Sequence, residues 1–237
     1  MLPTLLQHMS HNNIPYAHQY GFTKLRSTYD AIARFLESIC KQYYIPTPAV
    51  FIDISKAYDR VWVHGLLHKL HQLNMPQGGV SAPQLFTIYI HDIVTAIQSA
   101  LAQIHAHLIH AVHINLFADD IVIWISETYA AYATTPVTTF YIMQTALNAL
   151  TTWASTWKVT FSTTKTQMLL FHTARCTQHT LNYYKQHARL TLSGFTITIT
   201  DTYKYLGLLV HHNLSWTPWS HWQVHSDITA DCTSCGT

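Results

Sequence analysis

The fold of this chain is decided by the stretch VHINLFADDIVIWI, residues 112–125. Two apolar runs rich in Ile and Val flank an Asp-Asp pair, a pattern typical of a β-hairpin. The turn then presents Asp119 and Asp120 together at one end of a buried ribbon. Adjacent negative charges with apolar flanks are unfavourable unless a cation joins them, and Mg²⁺ takes such hard oxygen ligands. Because Asp is also a common turn residue, this stretch alone leaves a structural and a metal-binding interpretation open.

Composition sets only broad limits on function. The 237 residues suffice for one large domain or two small ones. The chain carries 13 Lys and Arg against 11 Asp and Glu, so its global charge gives no argument for nucleic-acid binding. No signal peptide is evident and no apolar run reaches a membrane-spanning length, so we expect no membrane partner. Four scattered cysteines favour a reduced, intracellular setting.

One metal-ligand spacing occurs near the C-terminal end. His221 and His225 precede Cys232 and Cys235, and each of the two spacings is typical of zinc ligands. Because such pairs in a polar tail usually have no function, a zinc-binding protein is only the minor alternative.

The N-terminal part predicts a basic loop followed by a helix. Residues 1–15 hold no clear pattern and look like a truncated leader. Residues 19–28 read QYGFTKLRST, in which Ser27 or Thr28 can cap an amphipathic helix. Lys24 and Arg26 lie just before this cap, where cations suit a triphosphate or a backbone phosphate. A solvated basic loop is the alternative interpretation.

A second carboxylate ends a predicted strand. Residues 49–53, AVFID, follow two prolines and read as a buried strand that ends at Asp53. A strand-end Asp in apolar surroundings is costly unless it is paired or bound to metal. The longer stretch FIDISKAYDRVW, residues 51–62, resembles the first catalytic motif of reverse transcriptases, most closely those of non-LTR (LINE-like) retrotransposons.

Further stretches resemble the same family in the same order. They are PQGGVSAPQLF at 76–86, FADD at 117–120, STTKT at 162–166, YKYLG at 203–207 and LSW at 214–216. Two positions depart from the family pattern, since Ala82 and Ser162 stand where the family has Ser and Asn. The resemblance covers roughly residues 19–216.

Periodicity predicts the elements between these motifs. Helices are expected at about 59–73, at about 85–101 and at 138–157. A strand is expected at about 166–171, and a hairpin around Ser193-Gly194 within 190–200.

The resemblance implies an α+β fold, a polymerase palm with an antiparallel sheet and packed helices. A reduced fingers layer would occupy about 16–48, the palm about 49–200 and the primer-grip region 201–216 of a domain spanning 16–216. Residues 217–237 would form a tail where a largely missing thumb begins.

The resemblance also implies an RNA-directed DNA polymerase that uses two Mg²⁺ ions, an RNA template, a DNA primer and deoxynucleoside triphosphates. Its location would be nuclear or cytoplasmic. The metal ligands would be Asp53 and Asp119, supported by Asp120. Lys165 would protonate or neutralise the leaving pyrophosphate, although a solvated lysine is an equal alternative.

The remaining roles concern nucleotide and primer. Lys24 and Arg26 would contact the triphosphate, and Gln77 and Gly78 would border the sugar and template. Tyr58 would act as the steric gate against a 2′-hydroxyl, or as an ordinary core aromatic. The primer end would be positioned by Tyr205, Leu206 and Gly207.

One segment departs from the family in length. Only 24 positions separate Asp53 from Gln77, where the family has several tens more. A helix over 59–73 would be about 22 Å long and would leave Gln77 roughly 10 Å short of the nucleotide. We therefore expect an incomplete or decayed copy whose carboxylate site is poorly supported. The alternative to an active polymerase is a remnant that at most binds nucleic acid.

Overall fold

A computed structural model of the chain describes residues 18–41, 45–74, 82–104, 108–125, 135–214 and 216–218, together with Met9. The helices of these residues are α1 (Thr28–Cys40), α2 (Val63–Gln72), α3 (Ala82–Ile90), α4 (Ile93–Ile104), α5 (Leu108–Ala111), α6 (Pro136–Trp157) and α7 (Gln178–His187). The longer strands are β1 (Thr47–Asp53), β2 (Val112–Phe117), β3 (Asp120–Ile125) and β4 (Gln167–Phe171). Short strands complete the fold: β5 (Thr191–Leu192), β6 (Phe195–Thr196), β7 (Thr198–Ile199), β8 (Thr202–Tyr205), β9 (Leu208–His211) and β10 (Trp216–Pro218).

The central sheet has the strand order β2-β3-β1-β4-β7. Its pairings are antiparallel except for β4 with β7. Strand β1 lies in the middle, and six of its seven residues are buried. This placement explains its continuous apolar sequence, because a central strand is covered on both faces.

Each face of the sheet carries its own core. One core contains Val50 and Ile52 of β1 and buried residues of α3, α4 and α6. The other contains Ala49 and Phe51, covered by α1 and by the hairpin of β8 and β9. Successive side chains of a strand point to opposite faces, so Asp53 belongs to the face of Phe51.

Most of the predicted elements are confirmed. The hairpin at 112–125, the strand ending at Asp53, the long helix ending at Trp157 and the strand ending at Phe171 are all present. Ser27 caps α1 in a capping box with Asp30. The predicted α+β class is therefore confirmed, while the palm and fingers boundaries remain predictions.

Two helix predictions need correction. The helix expected from residue 59 begins at Val63, because the backbone N–H groups of Asp59 and Arg60 both donate to the carbonyl of Lys56 and close a turn there. The helix expected at 85–101 is two helices that break at His91 and Asp92. Helix α7 was not predicted.

The expectation about apolar runs is also corrected. Among the described residues, Ala82–Ile104 is long and apolar enough to cross a membrane by length and composition alone. It comprises α3 and α4, and half of its most apolar window is buried inside the fold. Core helices of globular proteins pass the same test, so this stretch is weak evidence for a membrane span.

Candidate active site

Two carboxylates meet at one end of the central sheet. Asp53 is the last residue of β1 and Asp120 the first of β3, and their Cα atoms are direct partners in the antiparallel register. Both side chains therefore start on the same face of the sheet. The sequence resemblance named Asp53 and Asp119 as the principal pair, whereas the strand register pairs Asp53 with Asp120.

Asp119 lies in the turn beside this pair. Phe117 and Asp120 close the hairpin, so that Ala118 and Asp119 form its two-residue loop. Ala118 has a φ of 55°, a left-handed conformation that is unfavourable for a residue with a Cβ. Burial, followed by the negative charges of Asp119 and Asp53, raises the pKa of Asp120 to about 6. The cluster thus holds its negative charge at a free-energy cost.

Lys165 is brought to this cluster by a turn that follows α6. The backbone N–H of Ser162 donates to the carbonyl of Asp53 at 2.9 Å, and Ile54 forms an antiparallel bridge with Phe161. The ammonium of Lys165 then lies 3.2 Å from Oδ1 of Asp53. The Lys165 side chain is 69% exposed and that of Asp53 is 15% exposed, so an exposed ammonium reaches a largely buried carboxylate.

Tyr58 lies on the same side of the fold as Asp119. Its ring is 43% exposed, and its centroid lies 4.9 Å from that of Phe86 on α3. Burial, and secondarily the charge of Asp119, raises the pKa of the Tyr58 hydroxyl. A half-exposed ring next to the carboxylates is a position where an aromatic side chain can limit the space for a substrate.

The stretch YKYLG forms the end of β8 and the turn that leads to β9. Tyr205 is only 2% exposed and belongs to the core on the Phe51 face, so its side chain anchors the hairpin, and its role at a primer stays a prediction. Leu206 and Gly207 form the turn, with φ values of 47° and 88°. Their contact with a primer remains a prediction.

Tyr203 lies near the carboxylate cluster, and its motif alone did not predict this position. Its ring stacks on Phe51 at 4.3 Å between centroids. Burial, then the charges of Asp120 and Asp53, raise the pKa of its hydroxyl well above the usual range. The period-2 alternation of a strand was the available signal, since it places Tyr203 on the same face as Tyr205.

The basic loop before α1 lies beside the hairpin turn. Lys24 is exposed, whereas Arg26 donates from Nη1 to the carbonyl of Gln19 at 3.1 Å and lies over the ring of Tyr20. Gln77 and Gly78 lie outside the described residues, as do His221, His225, Cys232 and Cys235 of the zinc alternative.

The donors of the cluster suit a hard divalent cation. Carboxylates whose charges disfavour one another are stabilised when a cation binds, and Mg²⁺ is commonly held by one or two carboxylates plus substrate phosphates. Within the described part of the chain, no three His, Cys, Asp or Glu side chains are arranged to hold a metal ion by themselves. One or two of these carboxylates, with waters and substrate phosphates, are the kind of ligand set that Mg²⁺ takes.

Comparison with known proteins finds similarity to RNA-directed DNA polymerases. The family model described as reverse transcriptase (RNA-dependent DNA polymerase) matches residues 1–210. The chain is 26% identical over 235 residues to the RNA-directed DNA polymerase from mobile element jockey of Drosophila funebris, covering 83% of this chain and 23% of that protein. It is 25% identical over 240 residues to the probable RNA-directed DNA polymerase from transposon BS of Drosophila melanogaster, covering 85% and 24%. The chain thus spans about a quarter of the length of these relatives.

Proposed function

The chain belongs to the reverse transcriptase (RNA-dependent DNA polymerase) family, and on that premise we propose that it forms the RNA-directed DNA polymerase domain of a non-LTR retrotransposon. The reaction would join the 3′-oxygen of a DNA primer to the α-phosphorus of a deoxynucleoside triphosphate on an RNA template, with release of pyrophosphate. The similarity to polymerases of a mobile element and a transposon supports the non-LTR group. The fingers, palm and primer-grip boundaries and a nuclear or cytoplasmic location are part of the same proposal.

The observation that carries the proposal is the opposed pair Asp53 and Asp120 with Asp119 in the adjoining turn. Two neighbouring strands contribute one carboxylate each at the same sheet end, and the hairpin loop adds a third. Because burial, followed by the charges of Asp119 and Asp53, raises the pKa of Asp120, this cluster has an electrostatic reason to bind cations.

Asp53 and Asp119 would hold two Mg²⁺ ions, with Asp120 in support. Metal ions held there would supply charge stabilisation for the attacking and leaving oxygens of an in-line displacement. The other residues act on the substrates. Lys165 would neutralise or protonate the leaving pyrophosphate from its exposed position, and Lys24 and Arg26 would bind the triphosphate. Tyr58 would exclude a 2′-hydroxyl, and Gln77 and Gly78 would border the sugar.

Primer extension tests this proposal directly. Purified chain is given an RNA template, a DNA primer, deoxynucleotides and Mg²⁺, beside the variant Asp119→Asn and the control Glu37→Gln. Glu37 is exposed on α1, where it pairs with Lys41 outside the carboxylate cluster. We expect extension that Asp119→Asn abolishes and Glu37→Gln retains. Extension that persists in Asp119→Asn would contradict the assignment.

A second candidate is a remnant that binds nucleic acid without copying it. The short segment between Asp53 and Gln77 favours this candidate. Helix α2 has 10 residues and is therefore about 15 Å long, against about 22 Å for a helix over 59–73, while Gln77 itself lies outside the described residues. Folded protein that binds an RNA–DNA duplex but does not extend the primer would establish the second candidate over the first.

A further inference from the structure

The segment before the basic loop runs alongside the edge strand β2. Gln19 forms a parallel bridge with Leu116. The backbone N–H of Tyr20 donates to the carbonyl of Leu116 at 2.7 Å, and the N–H of Leu116 donates to the carbonyl of His18 at 2.8 Å. This short pairing carries the chain to the hairpin turn that holds Asp119.

The side chain of Gln19 forms a hydrogen bond with that turn. Gln19 is 3% exposed, and its Oε1 accepts from the backbone N–H of Gly21 at 2.9 Å and of Ala118 at 3.3 Å. Ala118 has the left-handed φ of 55° and directly precedes Asp119. Strained backbone persists only where the surrounding structure holds it in place, and the bond from Gln19 provides such a restraint.

Gly21 packs directly against the backbone of the same turn. A Cβ at residue 21 would lie 2.3 Å from the backbone nitrogen of Ala118 and 3.0 Å from the backbone carbon of Phe117. Backbone atoms cannot move aside as the end of a flexible side chain can. Glycine is therefore required for the close approach of this segment to the turn.

The same glutamine also fixes the basic loop. The carbonyl of Gln19 accepts from Oγ1 of Thr23 at 3.0 Å and from Nη1 of Arg26 at 3.1 Å. Gln19 thus contacts both segments. Its side chain binds the turn that carries Asp119, and its main-chain carbonyl binds the loop that carries Arg26.

We propose that Gln19 is a positioning residue that sets the distance between the Asp119 turn and the Arg26 loop. It would not touch substrate; it would hold the carboxylates and the triphosphate-binding cations in one geometry. The proposal rests on the proposed polymerase function. Small displacements of such groups are costly, since misplacing a reacting group by about 1 Å can reduce the rate about a hundredfold.

Matched variants separate positioning from general stability. Gln19→Met keeps the volume but removes the acceptor, and Gln19→Glu keeps an acceptor for both N–H groups. The control is Gln144→Met, because Gln144 makes the same kind of bond to the backbone, to Thr191, outside the carboxylate cluster. Gly21→Ala disturbs the turn by a different physical route and serves if Gln19→Met does not fold.

Three measurements are made on the full chain. The first is amide hydrogen exchange at Ala118, and the second is the Kd for Mn²⁺ as a function of pH. The third is steady-state kinetics, which separates the KM for a deoxynucleotide from kcat. We expect Gln19→Met to speed exchange at Ala118 by about tenfold or more and to weaken Mn²⁺ binding by about fivefold or more. Gln19→Glu should restore most of the loss, and Gln144→Met should lower thermal stability without changing Mn²⁺ binding.

The outcomes distinguish this inference from the proposed function. Unchanged exchange at Ala118 in Gln19→Met would overturn the inference. So would unchanged Mn²⁺ binding and KM in that variant when the wild-type chain binds Mn²⁺. A wild-type chain that binds no Mn²⁺ and extends no primer would instead overturn the proposed function.

Discussion

Asp53 and Asp120 face each other across two antiparallel strands, one as the last residue of β1 and the other as the first of β3. Their side chains share a sheet face, and the charge of Asp119 is close enough to act on Asp120. Burial together with these charges disfavours the ionised form of Asp120. The folded state therefore carries an electrostatic cost at neutral pH that either a cation or a neutral side chain would relieve.

The first prediction is that Asp120→Asn stabilises the protein at neutral pH. The pKa of Asp120 is about 6 in the fold against the ordinary 3.8. The folded state therefore binds more protons than the unfolded state between these values, and wild-type stability falls as the pH rises from about 4 to 6. The variant lacks this fall, so above pH 6 it should be more stable by roughly 1–3 kcal/mol.

Urea unfolding at intervals from pH 4 to 7.5 measures this difference. The gap between variant and wild type should grow through the window and then stay constant. The control Asp201→Asn should show no such growth. A variant less stable than wild type at pH 7.5 would contradict the electrostatic interpretation.

The second prediction concerns the ion pair between Lys165 and Asp53. Lys165 competes with a cation for Oδ1 of Asp53 and also repels it. Removing the ammonium in Lys165→Met should therefore tighten Mn²⁺ binding by about two- to fivefold, a modest effect because the lysine is largely exposed. Primer extension should nevertheless decrease, since the pyrophosphate loses its cationic partner. Titration with Mn²⁺ at pH 7.5 tests the expected change in binding, with Lys165→Arg as the charge-preserving control. Weaker Mn²⁺ binding in Lys165→Met than in the wild type would contradict the prediction.

The third prediction concerns the choice of sugar. The Tyr58 ring rests on Phe86 and is 43% exposed, so it can be shortened without opening a large cavity. Tyr58→Ala should raise the kcat/KM for a ribonucleotide relative to the deoxynucleotide by about tenfold or more. Tyr58→Phe keeps the ring and should keep the selectivity. Equal selectivity in Tyr58→Ala and wild type would assign Tyr58 to packing alone.

The sequence alone predicts those elements whose determining residues lie close together in the chain. The hairpin at 112–125 follows from two apolar runs around a turn, and the α1 cap from Ser27 and Asp30 three residues later. The turn at Ser193 and Gly194 follows from the glycine, which adopts a φ of 86° at no steric cost. Family motifs then named the carboxylates that lie together.

The missed features depend on contacts between distant parts of the chain. The hydrogen bond that the N–H of Ala118 donates to Oε1 of Gln19 joins residues 99 positions apart. Nothing in the sequence around either residue indicates the other. The stacking of Tyr203 on Phe51 likewise depends on how a later hairpin folds over the sheet. The later start of α2 has a local reason instead, because a turn around Lys56 ends before the helix begins.

A buried lysine supports the helical side of the fold. Lys69 of α2 is 1% exposed, and its ammonium donates to the carbonyl of Tyr89 at 2.6 Å and to Oδ1 of Asp92 at 2.5 Å. The ring of Trp157 lies 3.8 Å from the ammonium, and Trp153 donates from Nε1 to the same Asp92 oxygen. Asp92 thus occupies the break between α3 and α4 and receives two donors there.

The fourth prediction is that stability rises between pH 8 and 9.5. Burial outweighs Asp92 and lowers the pKa of Lys69 from 10.5 to about 8, so the unfolded state binds more protons in this window. The free energy of unfolding should increase by about 1 kcal/mol as the pH rises through it. Lys69→Met should remove this increase, whereas Lys41→Met, which breaks an exposed pair with Glu37, should retain it. A wild-type chain whose stability falls steadily from pH 8 to 9.5 would show that Lys69 keeps its proton in the fold, held by Asp92 and the surrounding tryptophans.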